Sequence, residues 1–242
     1  SAAPLAAVLL AVAASVAAGP VPDRLERFRA LVSDGLGRTE ILDAGGTAEV
    51  YREAYALLDD EIVESLGSGA VFASTAFLQE RLDAFRDAWG GAAVRVVRLG
   101  SLTVGVFHLG ERATANSVRV YGRLGDETAL LTTLAREGRP TLYPLPPGPA
   151  GAVQFLVAWE GVSSGRGGHP ARFEVARQQG DGARVVWSSA DIYPEELVVL
   201  RYTVQGTELR VRYELRYPGW VPGCEGQTEQ EDVYRLTAAT GS

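Results

Sequence analysis

The sequence predicts an α+β fold, with N-terminal helices packed on a largely antiparallel curved sheet and a β-rich C-terminal half. Two features carry this expectation. Apolar residues recur at helical spacing as far as Trp89, and from Val94 onward the period drops from 3.6 to 2. Glycine-centred turn signals then separate short alternating runs, with neither a fixed-period repeat nor the helix–strand alternation of a doubly wound fold. At 242 residues the chain is long enough for a substantial core.

The helical part has three segments. DRLERFRALVSDGL is amphipathic, with Leu25, Phe28, Leu31 and Val32 on one stripe; Pro22 and Asp23 suit its start, and Gly35 and Gly37 its end. After Gly45-Gly46, Thr47 caps a stronger helix running to Leu66, whose stripe is Val50, Tyr51, Ala54, Leu57, Leu58, Ile62 and Leu66. Its acids Asp59, Asp60, Glu61 and Glu64 fall largely outside that stripe and read as a solvated face rather than a metal site. A third helix is capped by Ser74 or Thr75, buries Phe77, Leu78, Leu82, Phe85 and Trp89, and ends at Gly90-Gly91.

The strand signals follow. Val94, Val96 and Leu99, then Leu102, Val104 and Val106, read as a hairpin around Gly100, and Ser117–Arg123 as a third strand. ETALLTTLAREG, capped by Asp126 and stopped at Gly138 and Pro140, reads as a short helix. Thr141–Gly151 is a stiff, proline-rich bridge; its PxxP spacing at 144–147 reads as a rigid loop rather than a recruited motif. Val153, Phe155, Val157 and Trp159 alternate cleanly, and Gly180-Asp181-Gly182 joins a further hairpin. In the strongest strand, Leu209, Val211, Tyr213, Leu215 and Tyr217 face inward. Glu208, Arg210, Arg212, Glu214 and Arg216 face outward, where cross-strand ion pairs can form, and the partner strand is Leu197–Val204.

These elements divide into residues 1–19, a signal-like segment; 20–46, an amphipathic helix and linker; 47–190, an α+β domain with the bridge at 140–150; and 191–242, a β-hairpin extension. The uncharged apolar run Ala2–Ala18, ending in Val16-Ala17-Ala18 and lacking an initiator methionine, reads as a processed export signal; if retained, it would be a membrane anchor. The expected location is therefore periplasmic or extracellular.

Composition narrows the function. A net charge of −7 argues against nucleic acid and anionic membranes as partners. All 23 basic residues are arginine, so Schiff-base chemistry and a Walker-type phosphate loop are excluded. Two histidines, His108 and His169, and the single Cys224 cannot close a zinc site by themselves, and no cofactor motif is present. The acids Glu225, Glu229, Glu231 and Asp232 match no cation-wrapping spacing, since Glu229 and Glu231 share a strand face that Asp232 does not. Gly161-Val-Ser163-Ser-Gly165 matches the GxSxG of a serine nucleophile, but a strand rather than a helix is expected after it, and no histidine follows His169.

The order helix, helix, strands, short helix, strands over residues 47–190 resembles the ketosteroid-isomerase and SnoaL-like cone superfamily. That resemblance implies a curved sheet wrapped around helices, enclosing an apolar pocket. His108, continuing the face of Leu102, Val104 and Val106, would reach such a pocket, and Tyr51, Tyr55, Trp89, Tyr121 and Trp159 would line it. The leading expectation is an exported, non-catalytic protein that binds a partner or a small apolar ligand in the cell envelope. The alternatives are a pocket enzyme using His108 with a nearby carboxylate or tyrosine, and a serine hydrolase at Ser163. The turn-rich loop carrying Trp220 and Cys224 is the expected partner-binding surface.

Overall fold

The computed structural model describes residues 23–39, 44–90, 92–110, 112–163, 168–193, 197–215 and 229–236. Three helices come first: α1 (Arg24–Thr39), α2 (Ala44–Gly67) and α3 (Thr75–Trp89). β1 (Ala93–Leu99), β2 (Leu102–His108), β3 (Asn116–Leu124) and β4 (Glu127–Ala135) form an antiparallel sheet in that order. β5 (Arg139–Pro144), β6 (Gln154–Glu160), β7 (His169–Gln179) and β8 (Gly182–Ser188) form a second sheet, also in sequence order. β9 (Leu197–Gln205), β10 (Glu208–Leu215) and β11 (Glu229–Arg235) make a three-stranded ribbon. Among the described residues, the ribbon joins the second sheet where His169 and Pro170 of β7 pair with Val199 and Val198 of β9. The fold is thus α+β and antiparallel, with a β-rich C-terminal half.

Three apolar cores divide these elements into four layers. Phe28, Tyr55, Leu58, Ile62, Leu82 and Phe85 of the helices pack on the Val94, Phe107 and Tyr121 face of the first sheet. The opposite face, Val104, Val106, Val118 and Val120, packs on Phe155, Val157 and Trp159 of the second sheet. Leu156, Ala158, Phe173 and Val175, on the far side of the second sheet, are covered by Val199, Leu209, Val211 and Tyr213 of the ribbon. β2 and β6 are consequently buried on both faces. A strand in that position loses its polar face, as in the interior of a layered protein.

Several expectations stand. Ser74 caps α3 by accepting a hydrogen bond from Phe77 N at 3.3 Å, and Gly90 ends the helix at φ 73°. The hairpins turn at Gly100 and Gly180, both in the left-handed region, as is Gly206 in the β9–β10 turn. β9 pairs with β10 as the alternation requires, and the outer face carries the pairs Arg210–Glu231 (2.9 Å) and Arg212–Glu229.

Others are corrected. Residues 127–135 are a strand, not a helix. β4 pairs with β3 across a turn at Gly125, and a bulge leaves Leu131 between the pairs Tyr121–Leu130 and Val120–Thr132. The extra residue puts Leu131 and Leu134 on one face three positions apart, a spacing that mimics a helix. α1 continues through Gly35 and Gly37, and α2 starts ahead of Thr47, which lies inside the helix instead of capping it. Pro140 and Pro144 belong to β5, an edge strand whose free side tolerates their missing donors. Glu214 is buried although β10 keeps its alternation; the register shift between Arg212 and Tyr213 falls on β9, where Leu200 is the residue passed over.

The solvated face assigned to α2 is half wrong. Asp60 and Glu64 are exposed, but Glu61 is buried between Arg24 of α1 (3.2 Å) and Arg81 of α3 (2.7 Å), binding the three helices together. Asp59 pairs with Arg119 of β3. Residues 1–19, Trp220 and Cys224 lie outside the described residues. Among the described residues no helix is long and apolar enough to cross a membrane.

Candidate functional site

A cleft of about 750 Å³ opens where the two sheets and the ribbon meet. Its walls come from the end of β4 and the link to β5 (Ala135, Arg136, Glu137, Gly138), the end of β6 (Trp159, Gly161, Val162), the start of β7 (Pro170, Ala171, Arg172) and the segment leading into β9 (Ala190, Tyr193, Leu197). Gly138 permits this arrangement. Its φ is 90°, and a Cβ there would lie 2.8 Å from the Glu160 backbone, so only glycine lets the β4–β5 link pass this close to β6.

Behind the cleft wall lies Glu174, with none of its side chain exposed. Period two places it on the same face of β7 as Arg172, and Trp159 of β6 stands opposite Arg172. Trp159 Nε1 donates to Glu174 Oε2 at 3.2 Å, while Arg136 Nε (3.1 Å) and Arg172 Nη2 (2.7 Å) both reach Oε1. A buried carboxylate needs such partners, because its desolvation costs far more than one ordinary hydrogen bond returns. Two guanidinium charges therefore face one carboxylate. The arginines keep 33% and 42% of their side chains exposed, toward the cleft.

Tyr193 connects the cleft to the ribbon. Its hydroxyl meets the carboxylate of Asp232 and the hydroxyl of Tyr234, and Tyr213 and Tyr234 also donate to Asp232 Oδ2, at 2.8 and 3.0 Å. Burial works to raise the Asp232 pKa, but the three hydroxyls outweigh it and hold the carboxyl below the usual range. Burial foremost pushes the Tyr193 hydroxyl well up, and Tyr234 up to about 12.

Of the described residues picked from the sequence as a pocket, Trp159 lines this cleft and the others lie elsewhere. Tyr51, Tyr55, Trp89 and Tyr121 are core residues between the helices and the first sheet. Tyr55 donates to Ala115 O (2.9 Å), Trp89 Nε1 to Leu109 O (2.8 Å) and Tyr121 to Asp59 (2.7 Å). Trp159 lies on the far side of that sheet, in the inter-sheet core. His108 faces a separate groove of about 370 Å³ shared with Arg86, Arg139 and Pro140. Its Nδ1 is 2.6 Å from Asn116 Oδ1. The Asn116 amide nitrogen is committed to Arg112 O, so Nδ1–H is the donor to Oδ1. Ser163 is exposed in the loop after β6, and His169, at the start of β7, pairs with Glu160 at 3.3 Å.

Sequence reasoning missed Arg136, Arg172 and Glu174. Arg172 and Glu174 alternate with Phe173 and Val175, which reads as a strand with one wet face; burial of both faces of the sheet cannot be seen from one strand alone. Among the described residues no group of three or more histidines, cysteines or acids is placed to hold a metal ion. No family model, curated protein or solved structure matches the chain.

Proposed function

We propose that this chain is an exported, non-catalytic binding protein of the cell envelope, and that the cleft between its sheets and ribbon seats a small apolar ligand. The observation that carries the reading is the cleft's lining: Val162, Pro170, Ala171, Tyr193 and Leu197 form an apolar wall in a space of about 750 Å³. Small-molecule sites commonly occupy about 300–1,000 Å³ and combine apolar walls with a few fixed polar groups. Val162 in particular is 69% exposed at the rim, an apolar side chain left in water. Export rests on the apolar run Ala2–Ala18 and its small-residue end. The polar groups around the cleft support binding over catalysis. Glu174 already accepts from three donors and Tyr193 is bonded to Asp232, so neither is poised to take up a substrate proton.

Titration with the neutral fluorophore N-phenyl-1-naphthylamine tests the reading. Saturable fluorescence enhancement is expected, weakened by Val162→Asp at the rim and by Ala190→Trp, which fills the cleft. Absence of saturable binding, or binding indifferent to both substitutions, would overturn it.

A further inference from the structure

We propose that the cleft's ligand is a small apolar monocarboxylate, its acid head held by Arg136 and Arg172; this rests on the cleft being the binding site. Glu174 neutralises one of the two guanidiniums that reach it, which leaves one positive charge facing the cleft. The hydrogen bonding is also incomplete: Arg172 Nε is buried without a hydrogen-bond partner among the described residues. A buried donor in that condition costs free energy that an incoming acceptor returns.

Geometry selects the kind of anion. Arg172 is fixed through Nη2 to Glu174, and Arg136 through Nε to Glu174 and through Nη1 to Ala135 O (2.8 Å). Two guanidiniums locked on a common carboxylate are preorganised, so a ligand does not have to order them. Planar forks of this kind suit a carboxylate, which accepts two parallel bonds. Glu137 completes the selection. It lines the same cleft and is exposed at its mouth, where it repels a second negative charge on the ligand. One spare positive charge inside and one negative at the rim favour a monoanion over a dianion, and the apolar wall of Val162, Pro170, Ala171 and Leu197 takes the hydrocarbon body. Glu174 acts through the arginines as a positioning residue.

The test compares 8-anilinonaphthalene-1-sulfonate with N-phenyl-1-naphthylamine, which share one aromatic body and differ by the sulfonate. The anionic probe should bind about tenfold more tightly, the size expected of one charge-assisted contact. Arg172→Gln and Arg136→Gln should each remove most of that preference, read as the ratio of the two probes' affinities in the same variant so that any general change in the cleft cancels. Glu137→Gln, a surface change that spares the fold, should strengthen the preference. Octanoate should displace the anionic probe at about tenfold lower concentration than methyl octanoate, whose head carries no charge. If the neutral probe binds in the cleft but the anionic one gains nothing, or if the ratio is indifferent to all three substitutions, the carboxylate inference is overturned and the cleft survives as an apolar site. If neither probe binds saturably, the binding reading itself fails.

Discussion

Arg119 of β3 closes on Asp59 of α2, with Nε 2.7 Å from Oδ1 and Nη2 meeting Oδ2, so that one bidentate pair fastens the helical layer to the first sheet. Tyr121 donates to the same carboxylate, and the guanidinium lies 4.8 Å from the centroid of the Tyr55 ring. Asp59→Asn preserves the shape and an acceptor for Tyr121 but leaves a largely buried cation without its counter-charge. The expected loss is about 2–3 kcal/mol, below the value for a fully buried pair because both side chains keep some exposure. Urea unfolding at neutral pH measures it, and a midpoint equal to wild type would refute the assignment.

Gln79 of α3 stands in for a missing strand. Its amide donates to Val94 O at 3.0 Å and accepts from Val96 N at 2.9 Å, satisfying two backbone groups on the open edge of β1. An unpaired edge is a template for association, and a side chain that occupies its donors and acceptors blunts it. Gln79→Ala should cost about 1–3 kcal/mol for the two groups left unpaired. It should also produce concentration-dependent light scattering that wild type lacks; a monodisperse variant would show that the edge needs no such cover.

Asp232 and Tyr234 set opposite ends of the pH profile. The folded Asp232 pKa lies below its unfolded value, so as pH falls the unfolded chain takes up the proton first. The stability this group contributes is complete above the ordinary carboxylate range near pH 4 and is lost as pH falls through the folded value. Tyr234 is raised to about 12, so its contribution is complete below its unfolded value, about 10, and is lost as pH rises toward the folded one. Asp232→Asn should flatten the acid limb of a plot of urea midpoint against pH. An acid limb unchanged in that variant would place the effect elsewhere.

Gly138→Ala tests the cleft's architecture. Alanine there would adopt a φ of 90° and press its Cβ against the Glu160 backbone. The strain alone costs about 1–3 kcal/mol. The β4–β5 link must then move away from β6, so the variant should also bind N-phenyl-1-naphthylamine more weakly. Destabilisation without any change in binding would separate this link from the cleft.

The sequence was most readable where one strand face is wet and the other dry. The outward charges of β10 and the inward Leu209, Val211 and Tyr213 follow from alternation alone. Legibility failed where two layers meet. Glu61 and Asp59 look like surface acids because their arginine partners lie 20 to 60 residues away, as does Arg136, one of the two partners of Glu174, and pairing at that separation leaves no periodic trace. Leu131 and Leu134 misled for a local reason, since one bulged residue converts a spacing of two into a spacing of three. Of the aromatic residues chosen as a pocket lining, Tyr51, Tyr55, Trp89 and Tyr121 are the filling of a core, because bulky rings mark burial as readily as binding, while Trp159 stands in the cleft wall.

Of all the strand pairings, the contact between β7 and β9 is the one that skips a sequence neighbour; the others among the described strands are hairpins closed by adjacent segments. That order lowers the entropic cost of reaching the native topology, since short loops close before long ones are needed. Each layer can acquire its hydrogen bonds from local chain before stacking on the next. The contacts that join distant parts of the sequence are therefore mainly those between layers, where meanders dock face to face.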